Sequence, residues 1–416
     1  MERREFLFKS LSASLALYAA GKSSISIANN LIPANELPDG LNIETYKGLS
    51  VKLIDEVGMK MTDGFKVPGK PDGMGTFEGE NGQIILLRNH ELDEDDSKLG
   101  PYHNDQAPTA HTKNKNAYGG VTKVVLDKNL NVVSSHLALE GSIRNCAGGI
   151  SPWGWLTCEE TVKKGHGYVY LCPLDGNDQS SATKVPAYGR FNHEAVAIDP
   201  DTYIAYLTED RGDSSFYRFV PKNKSTPFEG ELQALVVQGK KRFNTSKRME
   251  VKDVEKLEWV TVESSDKRDI LRRRAQKKGA AVFSRGEGIA YWNGKIFFAC
   301  TDGGKNRDGQ IFVIDIESNT LELLAESEEK SQMNMPDNIW VTNSGTLYFA
   351  EDSGDYCHIK ALTKSGKIIP ILKNKNKSKE IAGVCFSSDE KVMFANLQNE
   401  GATIAITGDF SAIEKL

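Results

Sequence analysis

The sequence predicts an all-β fold, a β-propeller with six blades and a small helical insertion. Short apolar strands recur between glycine-rich turns, and similar polar residues recur at the strand ends. The first polar residue and the strand-end acid are 14 residues apart at positions 146 and 160, and 15 apart at 194 and 209, 287 and 302, and 337 and 352. Such a repeat is typical of propeller blades, whose inner strands gather around a central channel. An irregular β-sandwich with chance similarity is the alternative.

Six units of two strands each follow one another along the chain, at residues 71–91, 146–160, 192–211, 286–304, 336–352 and 381–396. Each unit is predicted to be the inner hairpin of one blade, so we expect residues 40–416 to form a single propeller domain. The longest gap, about 221–283, is predicted to be an insertion with a basic helix that ends at Gly279. This basic stretch has no interleaved aromatic residues, which favours a solvated helix face over a nucleic-acid-binding arm. The formal net charge of −5 likewise gives no global attraction to nucleic acid.

Residues 1–28 predict an export signal. Arg3 and Arg4 precede the small, apolar run 11–21, and small residues follow at 26–28. The paired arginines are typical of the twin-arginine type, so we expect the twin-arginine export machinery as a partner. A basic amphipathic helix is the alternative. No later apolar run approaches the roughly 20 residues that a membrane-spanning helix needs.

The run 145–161 carries the strongest chemical signal. Cys146 lies at one end of this glycine- and tryptophan-rich turn, and Glu159 and Glu160 lie at the other. Thiolate selects transition metals such as iron or zinc, while carboxylates suit calcium and also hold ferric iron. The run therefore predicts part of a metal site. Most of the other cysteines are expected to be small buried residues in strands.

On a propeller, the strand ends converge although they are far apart in sequence. Cys146, Glu160, Glu194 and Glu287 can then face one axial pocket. Like charges cannot share a dry site unpaired, so cations must be present or the carboxylates must be protonated or solvated. A second set of acids with oxygen ligands that calcium accepts comprises Glu91, Asp210, Asp302, Asp337, Glu351 and Asp352. For any one of these acids alone, a solvated strand end or turn cap is the simpler interpretation.

Arg285 lies two residues before Glu287. In an extended segment these two side chains point to the same face, so the guanidinium and the carboxylate enter the pocket together. A planar fork of donors among metal ligands suits a tetrahedral oxyanion such as phosphate. A structural salt bridge to a neighbouring acid is the alternative.

Several long motifs resemble the PhoX family of exported alkaline phosphatases, from about residue 70 to about residue 400. They are Asn-Cys-Ala-Gly-Gly at 145–149, Pro-Trp-Gly at 152–154, Trp-Leu-Thr-Cys-Glu-Glu-Thr at 155–161, and the segments 189–196, 206–213 and 216–221. The resemblance implies a propeller that carries calcium and iron, with iron as a ferric pair, and that releases phosphate from small-molecule phosphomonoesters. It also implies twin-arginine export and a periplasmic or secreted location in a bacterium. We expect a monomer.

The resemblance further implies that Cys146, Glu160, Glu194 and Glu287 are iron ligands or bridging residues, and that Arg285 is catalytic and holds the phosphoryl group. This sequence departs from the family pattern at two places. Gly154 meets Trp155 directly where the family has an intervening threonine, and Gly286 stands where a proline is typical, which holds Arg285 less rigidly. Two other functions remain open: a calcium-dependent propeller lactonase or esterase, and a non-catalytic, calcium-stabilised binding propeller.

Overall fold

The computed structural model describes residues 30–34, 37–103, 116–176, 178–263 and 269–416. The predicted export signal at 1–28 lies outside these residues, as do positions 267 and 268 of the predicted basic helix. The described residues form 27 strands and three α-helices, with a few single 3₁₀ turns. The all-β prediction is confirmed.

Six antiparallel units of four strands each make up the body of the molecule, and we call them blades 1 to 6. Blade 1 contains β4 (Pro71–Glu78), β5 (Ile84–His90), β6 (Gly119–Leu126) and β7 (Val132–Ser142). Blade 2 contains β8 (Asn145–Ser151), β9 (Gly154–Glu159), β10 (Val169–Cys172) and β11 (Thr183–Val185). Blade 3 contains β12 (His193–Ile198), β13 (Ala205–Glu209), β14 (Tyr217–Pro221) and β15 (Gly230–Val237).

Blade 4 contains β17 (Gly286–Trp292), β18 (Lys295–Cys300), β19 (Gln310–Asp315) and β20 (Thr320–Glu326). Blade 5 contains β21 (Pro336–Val341), β22 (Leu347–Glu351), β23 (His358–Leu362) and β24 (Ile368–Asn374). Blade 6 contains β25 (Ile381–Phe386), β26 (Val392–Leu397), β27 (Ala402–Thr407) and β3 (Ser50–Glu56). The first-named strand of blades 1 to 6 is the inner strand, and each inner strand packs against those of the two neighbouring blades. The predicted propeller is confirmed.

Blade 6 joins the two ends of the chain. Its outer strand β3 comes from the N-terminal part and pairs with β27, with Ser50 opposite Thr407. Farther out on blade 5, β2 (Ile43–Tyr46) pairs with β24, and β1 (Leu31–Pro33) pairs with β2. The β3–β27 pairing closes the ring, because a propeller without closure leaves its first and last blades free to separate. Strands β1 and β2 cover the outer edge of blade 5.

The hydrophobic core is divided among the interfaces between blades. Six separate clusters of buried side chains each join two adjacent blades, and the cluster between blades 3 and 4 is rich in aromatic rings. There the Phe298 and Phe312 rings stack with centroids 5.3 Å apart, and Phe283 meets both edge-on. Strand alternation produces this pattern, since a strand in a blade has both faces buried against neighbouring blades.

The segment 221–283 links blades 3 and 4. It contains β15, the short helix α1 (Thr245–Arg248), β16 (Val254–Thr261) and helix α2 (Leu271–Lys277). Strand β16 pairs with β15 on one side and with β20 on the other, so the two blades share one continuous sheet. Gly279, with φ of 106°, follows α2, as the sequence predicts. The third helix, α3 (Phe410–Glu414), packs on the core between blades 5 and 6.

All six cysteines are buried and none forms a disulfide. Among the described residues, no helix is both long enough and apolar enough to span a bilayer.

Candidate active site

Every inner strand carries a β-bulge near its first residue. The register shifts between residues 71 and 74, 145 and 148, 193 and 196, 286 and 289, 336 and 339, and 382 and 385. A bulge inserts one extra residue and re-aims its side chain. The residue that follows the last regular pair is, in blades 1 to 5, Asp72, Cys146, Glu194, Glu287 and Asp337.

Blade 6 has Gly383 at its bulge instead of a ligand-type residue. Its φ is 65°, and a Cβ there would lie 2.2 Å from the carbonyl oxygen of Asp72. Only glycine fits so close an approach with a left-handed backbone. Blade 6 therefore contributes backbone, and no bulge side chain, to this end of the channel.

Side chains of the preceding blade hold the bulges in place. Asn89 Nδ2 donates to the carbonyl oxygens of Cys146 and Ala147, at 2.9 and 2.7 Å, and Trp155 Nε1 donates to Asn89 Oδ1 at 2.8 Å. Thr208 Oγ1 donates likewise to the Glu287 carbonyl at 2.6 Å. These bonds satisfy backbone groups that a bulge removes from the strand ladder.

A second layer of polar residues, four of them acids, follows the second strand of the blades. In each blade, the backbone N–H of a residue just after that strand donates to the carbonyl oxygen of the residue immediately before the inner strand. These N to O distances are 2.8 to 3.2 Å. The donating residues in blades 1 to 6 are Glu91, Glu160, Asp210, Thr301, Asp352 and Gln398. The sequence repeat had aligned Glu209 and Asp302 with Glu160, whereas the backbone pairing places Asp210 and Thr301 there.

Glu194, Glu287 and Asp337 form the centre of the acidic cluster. One carboxylate oxygen from each lies within 4.8 Å of the other two. Burial raises the pKa of Glu194 well above its usual range, and repulsion from Glu160 and Asp337 raises it further. Burial also raises the pKa of Glu287, with added repulsion from Asp210 and Glu194. For Asp337, burial and repulsion from Asp352 raise the pKa to about 8.

A second group of acids lies beside this centre, on blades 1, 5 and 6. Gln398 Nε2 is within hydrogen-bonding distance of Asp72 Oδ2, Glu91 Oε2 and Glu380 Oε1, at 2.8, 3.0 and 3.2 Å. Burial raises the pKa of Asp72, Glu91 and Glu380. Repulsion among these acids and Asp352 and Asp337 adds to the effect of burial on Glu380. The side-chain amide of Gln398, with two N–H groups, thus lies among three carboxyl groups.

Cys146 is buried between blades 2 and 3. Its Sγ lies 3.3 Å from the carbonyl oxygen of His193 and 3.6 Å from that of Glu194. Burial raises the pKa of the thiol, and the nearby carboxylates of Glu194 and Glu160 raise it further. A thiol in this setting becomes a thiolate when a cation compensates the charge.

Arg285 and Glu287 do enter the pocket together, as the i, i+2 spacing predicts. Arg285 Nη2 donates to Glu287 Oε1 at 3.0 Å. The same guanidinium donates to Asp210 from Nε and Nη2, at 2.8 and 3.0 Å. The neighbouring acids Glu287 and Asp210 raise the pKa of Arg285, so the guanidinium stays charged.

Arg144 occupies in blade 2 the position that Arg285 occupies in blade 4. Both lie two residues before a bulge residue, and both have positive φ, 52° and 49°. Arg144 Nη2 forms ion pairs with Glu91 Oε1, at 2.5 Å, and with Glu160 Oε2. Arg144 and Arg285 therefore face a cluster that has several more carboxyl groups than arginines, so the two guanidinium groups alone cannot compensate all of these carboxyl groups when they ionise.

Two of the sequence-predicted acids do not join the cluster. Asp302 accepts a hydrogen bond from Ser284 Oγ at 2.6 Å and pairs with Arg307. Glu351 is buried against Lys360, with Nζ to Oε1 at 2.7 Å, and its other oxygen accepts from the His358 backbone. The structure brings the other predicted site residues together: Cys146, Glu160, Glu194, Glu287, Glu91, Asp210, Asp337, Asp352 and Arg285.

His90 and His193 also lie away from the acids. His90 bonds the Gly69 carbonyl and Thr122 Oγ1, both at 2.9 Å, while His193 stacks on Phe191 with ring centroids 3.6 Å apart. Each histidine precedes an acid of the cluster, so strand alternation points the imidazole to the blade interior. Both are packing residues.

Four residues of the site were missed by sequence reasoning: Asp72, Arg144, Glu380 and Gln398. Asp72 and Arg144 had a signal, because Asp72 is the second residue of the first unit of the repeat and Arg144 precedes Cys146 by the same two residues that separate Arg285 from Glu287. Glu380 and Gln398 had none, since blade 6 breaks the polar pattern. Farther along the channel the lining becomes mostly apolar and includes Ala195, Ile198, Ile289 and Ile339 around a cavity of about 420 Å³.

The donor set fits metal cations. Buried carboxylates with raised pKa values and one thiol converge on this pocket, beside the guanidinium groups of Arg144 and Arg285. Such carboxylates are neutral unless cations compensate them. Oxygen donors accept calcium, and the thiol adds a ligand for iron.

Comparisons with known proteins give the family and the fold. The family model for alkaline phosphatase PhoX matches residues 129–401, which is well over half of the chain. The structure is similar to that of Pseudomonas fluorescens PhoX in complex with vanadate, a transition state analogue, with a TM-score of 0.70 and 17% identity over 91% of this chain and 97% of that chain. A gluconolactonase from Xanthomonas campestris is more distant, with a TM-score of 0.48 and 8% identity over 91% of this chain and 97% of that one. No curated protein matches the sequence significantly. The family match shows that this chain belongs to the PhoX family of alkaline phosphatases, which are phosphoric monoester hydrolases.

Proposed function

We propose that the protein is an exported, metal-dependent alkaline phosphatase that releases inorganic phosphate from small phosphomonoesters. The observation that carries this proposal is the convergence of Glu194, Glu287 and Asp337 within 4.8 Å, with Arg285 hydrogen-bonded to Glu287. Carboxylates so arranged hold cations, and a guanidinium beside them meets the charge of a phosphoryl group.

Arg285 is the phosphoryl-binding residue in this proposal. Its Nε and Nη2 are held by Asp210 and Glu287, and no described contact involves Nη1. The two N–H groups of Nη1 are therefore available to a phosphoryl oxygen, while the bidentate grip of Asp210 fixes the plane of the guanidinium. Charge that develops on the phosphoryl oxygens during transfer is stabilised by a donor already in position.

The metal ligands fall into two groups. Cys146, Glu160, Glu194 and Glu287 would hold a ferric iron pair, because the thiol lies beside Glu194 and Glu160, and Glu287 lies beside Glu194. Calcium would be held among Asp72, Glu91, Asp337, Asp352 and Glu380, which offer oxygen donors alone. The chemistry that such cations supply when bound is the activation of water and the neutralisation of charge on the substrate.

Export by the twin-arginine machinery is part of the proposal. The paired arginines and the apolar run within residues 1–28 support it. A periplasmic or secreted location follows, and we propose that the mature protein is a monomer.

The test uses the full chain matured through the twin-arginine route. Its iron and calcium are measured by inductively coupled plasma mass spectrometry, and phosphate release is measured with aryl phosphates at alkaline pH. We expect both metals and turnover that a chelator abolishes. Absence of phosphate release with iron and calcium supplied would overturn the proposal. Lactone hydrolysis without phosphatase activity would favour the lactonase, and metal without turnover of either substrate would favour a binding propeller.

A further inference from the structure

Three partly exposed arginines lie along the mouth of the acidic pocket, and we call them the arginine arc: Arg144, Arg211 and Arg285. Their side chains are 37%, 36% and 30% exposed. Arg144 belongs to blade 2, Arg211 follows the second strand of blade 3, and Arg285 begins the bulge region of blade 4. The arc therefore spans three adjacent blades.

A chain of hydrogen bonds and ion pairs connects the members of the arc. Arg144 pairs with Glu160, and Glu160 Oε1 accepts from Asn192 Nδ2 at 2.7 Å. Asn192 Oδ1 then accepts from Arg211 Nη2 at 3.0 Å. On the other side, the backbone N–H of Arg285 donates to the Arg211 carbonyl at 2.9 Å. Arg211 thus lies between the other two arginines, next to the proposed phosphoryl-binding residue.

The three arginines differ in how well their charge is compensated. Arg144 pairs with Glu91 and Glu160, and Arg285 with Asp210 and Glu287.

Arg211 has weaker partners. It bonds the neutral amide of Asn192, and its nearest described carboxylate is that of Asp269, whose Oδ2 is 3.8 Å away and whose Oδ1 pairs with Arg272. Its Nε is buried and has no hydrogen-bond partner among the described residues. The side chain as a whole is 36% exposed and no described hydrogen bond involves Nη1, so the two N–H groups of Nη1 are the donors that a ligand at the mouth can reach.

We propose that Arg211 binds a second anionic group of the substrate, so that the enzyme prefers phosphomonoesters that carry another carboxylate or phosphate. This inference rests on the proposed function, because it needs Arg285 to hold the phosphoryl group. A guanidinium with an unused edge binds either anion in a planar, bidentate manner. The acids beneath the arc repel a second anion unless a cation meets it at the mouth, and Arg211 is the member of the arc whose donors are not taken by carboxylates.

The test compares two aryl substrates, phenyl phosphate and 4-carboxyphenyl phosphate, which differ by one carboxylate. The measured quantity is the ratio of their kcat/KM values in the wild type and in Arg211→Gln. The ratio is kcat/KM for 4-carboxyphenyl phosphate divided by kcat/KM for phenyl phosphate. We expect Arg211→Gln to lower this ratio by about tenfold to a hundredfold, chiefly because KM for the carboxylate substrate rises. Arg211→Lys keeps the charge and should restore part of the ratio. Arg242→Gln, at an exposed arginine with no described contact to the site, is the matched control.

An unchanged ratio in Arg211→Gln, with equal losses on both substrates, would overturn the proposal. Calorimetry with benzylphosphonate and 4-carboxybenzylphosphonate gives a second measurement that needs no turnover. There Arg211→Gln should weaken binding of the carboxylated ligand selectively, and equal weakening of both ligands would overturn the proposal. If the wild type binds these ligands but hydrolyses no phosphomonoester, the proposed function is wrong. The calorimetric comparison of wild type and Arg211→Gln still shows in that case whether Arg211 binds the second anionic group.

Discussion

Arg285 and Asp210 form a bidentate ion pair at the mouth of the channel, with Nε to Oδ1 at 2.8 Å and Nη2 to Oδ2 at 3.0 Å. The two residues come from different blades and are 75 positions apart in sequence. The pair sets the orientation of the guanidinium before any substrate arrives, because both of its contacts lie in one plane.

Substitution Arg285→Ala should abolish most turnover without removing metal. We expect kcat/KM for phenyl phosphate to fall by about a thousandfold or more, since an arginine that stabilises phosphoryl-transfer charge has effects of this size. Iron and calcium content should stay at the wild-type level. Arg242→Ala is the control. Full activity in Arg285→Ala would contradict the assignment and favour a structural salt bridge.

Substitution Glu287→Gln should remove metal as well as activity. The amide keeps the shape of the side chain but loses the charge that a cation requires at the centre of the cluster. We expect at least one metal ion fewer per chain by mass spectrometry. Glu231→Gln, at an exposed position near the start of β15, serves as the control and should keep the full metal content. Wild-type stoichiometry in Glu287→Gln would exclude this carboxylate as a ligand.

Substitution Cys146→Ser should lower the iron content, while Cys158→Ser should not. Both thiols are buried, but Cys146 lies at a bulge beside Glu194 and Glu160, whereas Cys158 lies in the regular part of β9. A serine hydroxyl is a harder and weaker ligand than a thiolate. Iron is measured in both variants after export. Equal iron in the two would remove Cys146 from the ligand set and reopen the lactonase alternative, which needs no thiol.

Adjacent acids on blade 5 should behave differently. Glu351 is buried in an ion pair with Lys360, so Glu351→Gln should lower the free energy of unfolding by about 3 to 5 kcal/mol because a buried ammonium is left unpaired. Its metal content should be unchanged. Asp352→Asn should lose calcium with a smaller effect on thermal stability. Thermal unfolding and metal analysis of the two variants decide the point, and calcium loss in Glu351→Gln would contradict it.

Metal-free protein should become less stable as pH rises. The pKa of Glu160 is raised to about 8, chiefly by burial, and that of Asp337 is also about 8. Both groups release protons near pH 4 when unfolded, so the unfolded state binds fewer protons than the folded state between about pH 4 and pH 8. Stability therefore falls across this window, by up to about 1.4 kcal/mol per pH unit for each group.

The measurement is the midpoint of thermal unfolding in chelator from pH 5 to pH 8. Iron and calcium should reverse the trend, because they bind the ionised carboxylates. A midpoint that rises with pH in chelator would contradict the prediction.

Much of the fold could be predicted from the sequence because each blade repeats one local pattern. Period-two alternation, glycine-rich turns and strand-end acids recur in five units, and they gave the propeller and most members of the acidic cluster. Blade 6 was harder to characterise, since its bulge holds Gly383 and its outer strand β3 comes from the opposite end of the chain. Strand exchange between chain ends leaves no local signal.

The register of the second layer could not be predicted from spacing alone. Glu209 and Asp210 are adjacent acids, and the repeat alignment favoured Glu209. In the structure Glu209 pairs across from His193 and faces Tyr217 in the blade, at 3.0 Å, while Asp210 reaches Arg285. A shift of one residue along a strand exchanges the two faces, so spacing that varies by one cannot distinguish them.

The sequence by itself determined the all-β repeat, the residue types of a metal site and the i, i+2 partnership of Arg285 with Glu287. Only the tertiary structure decided which acids meet. The bulges turn Asp72, Cys146, Glu194, Glu287 and Asp337 into the channel, and strand alternation turns Glu351 into a blade. Ring closure then brings residues hundreds of positions apart to a few ångströms, as with Gln398 and Asp72. The physical reason is that a bulge inserts one residue into a strand and thereby changes the direction of the side chains there. The inserted residue can be recognised only when the pairing with the partner strand is known.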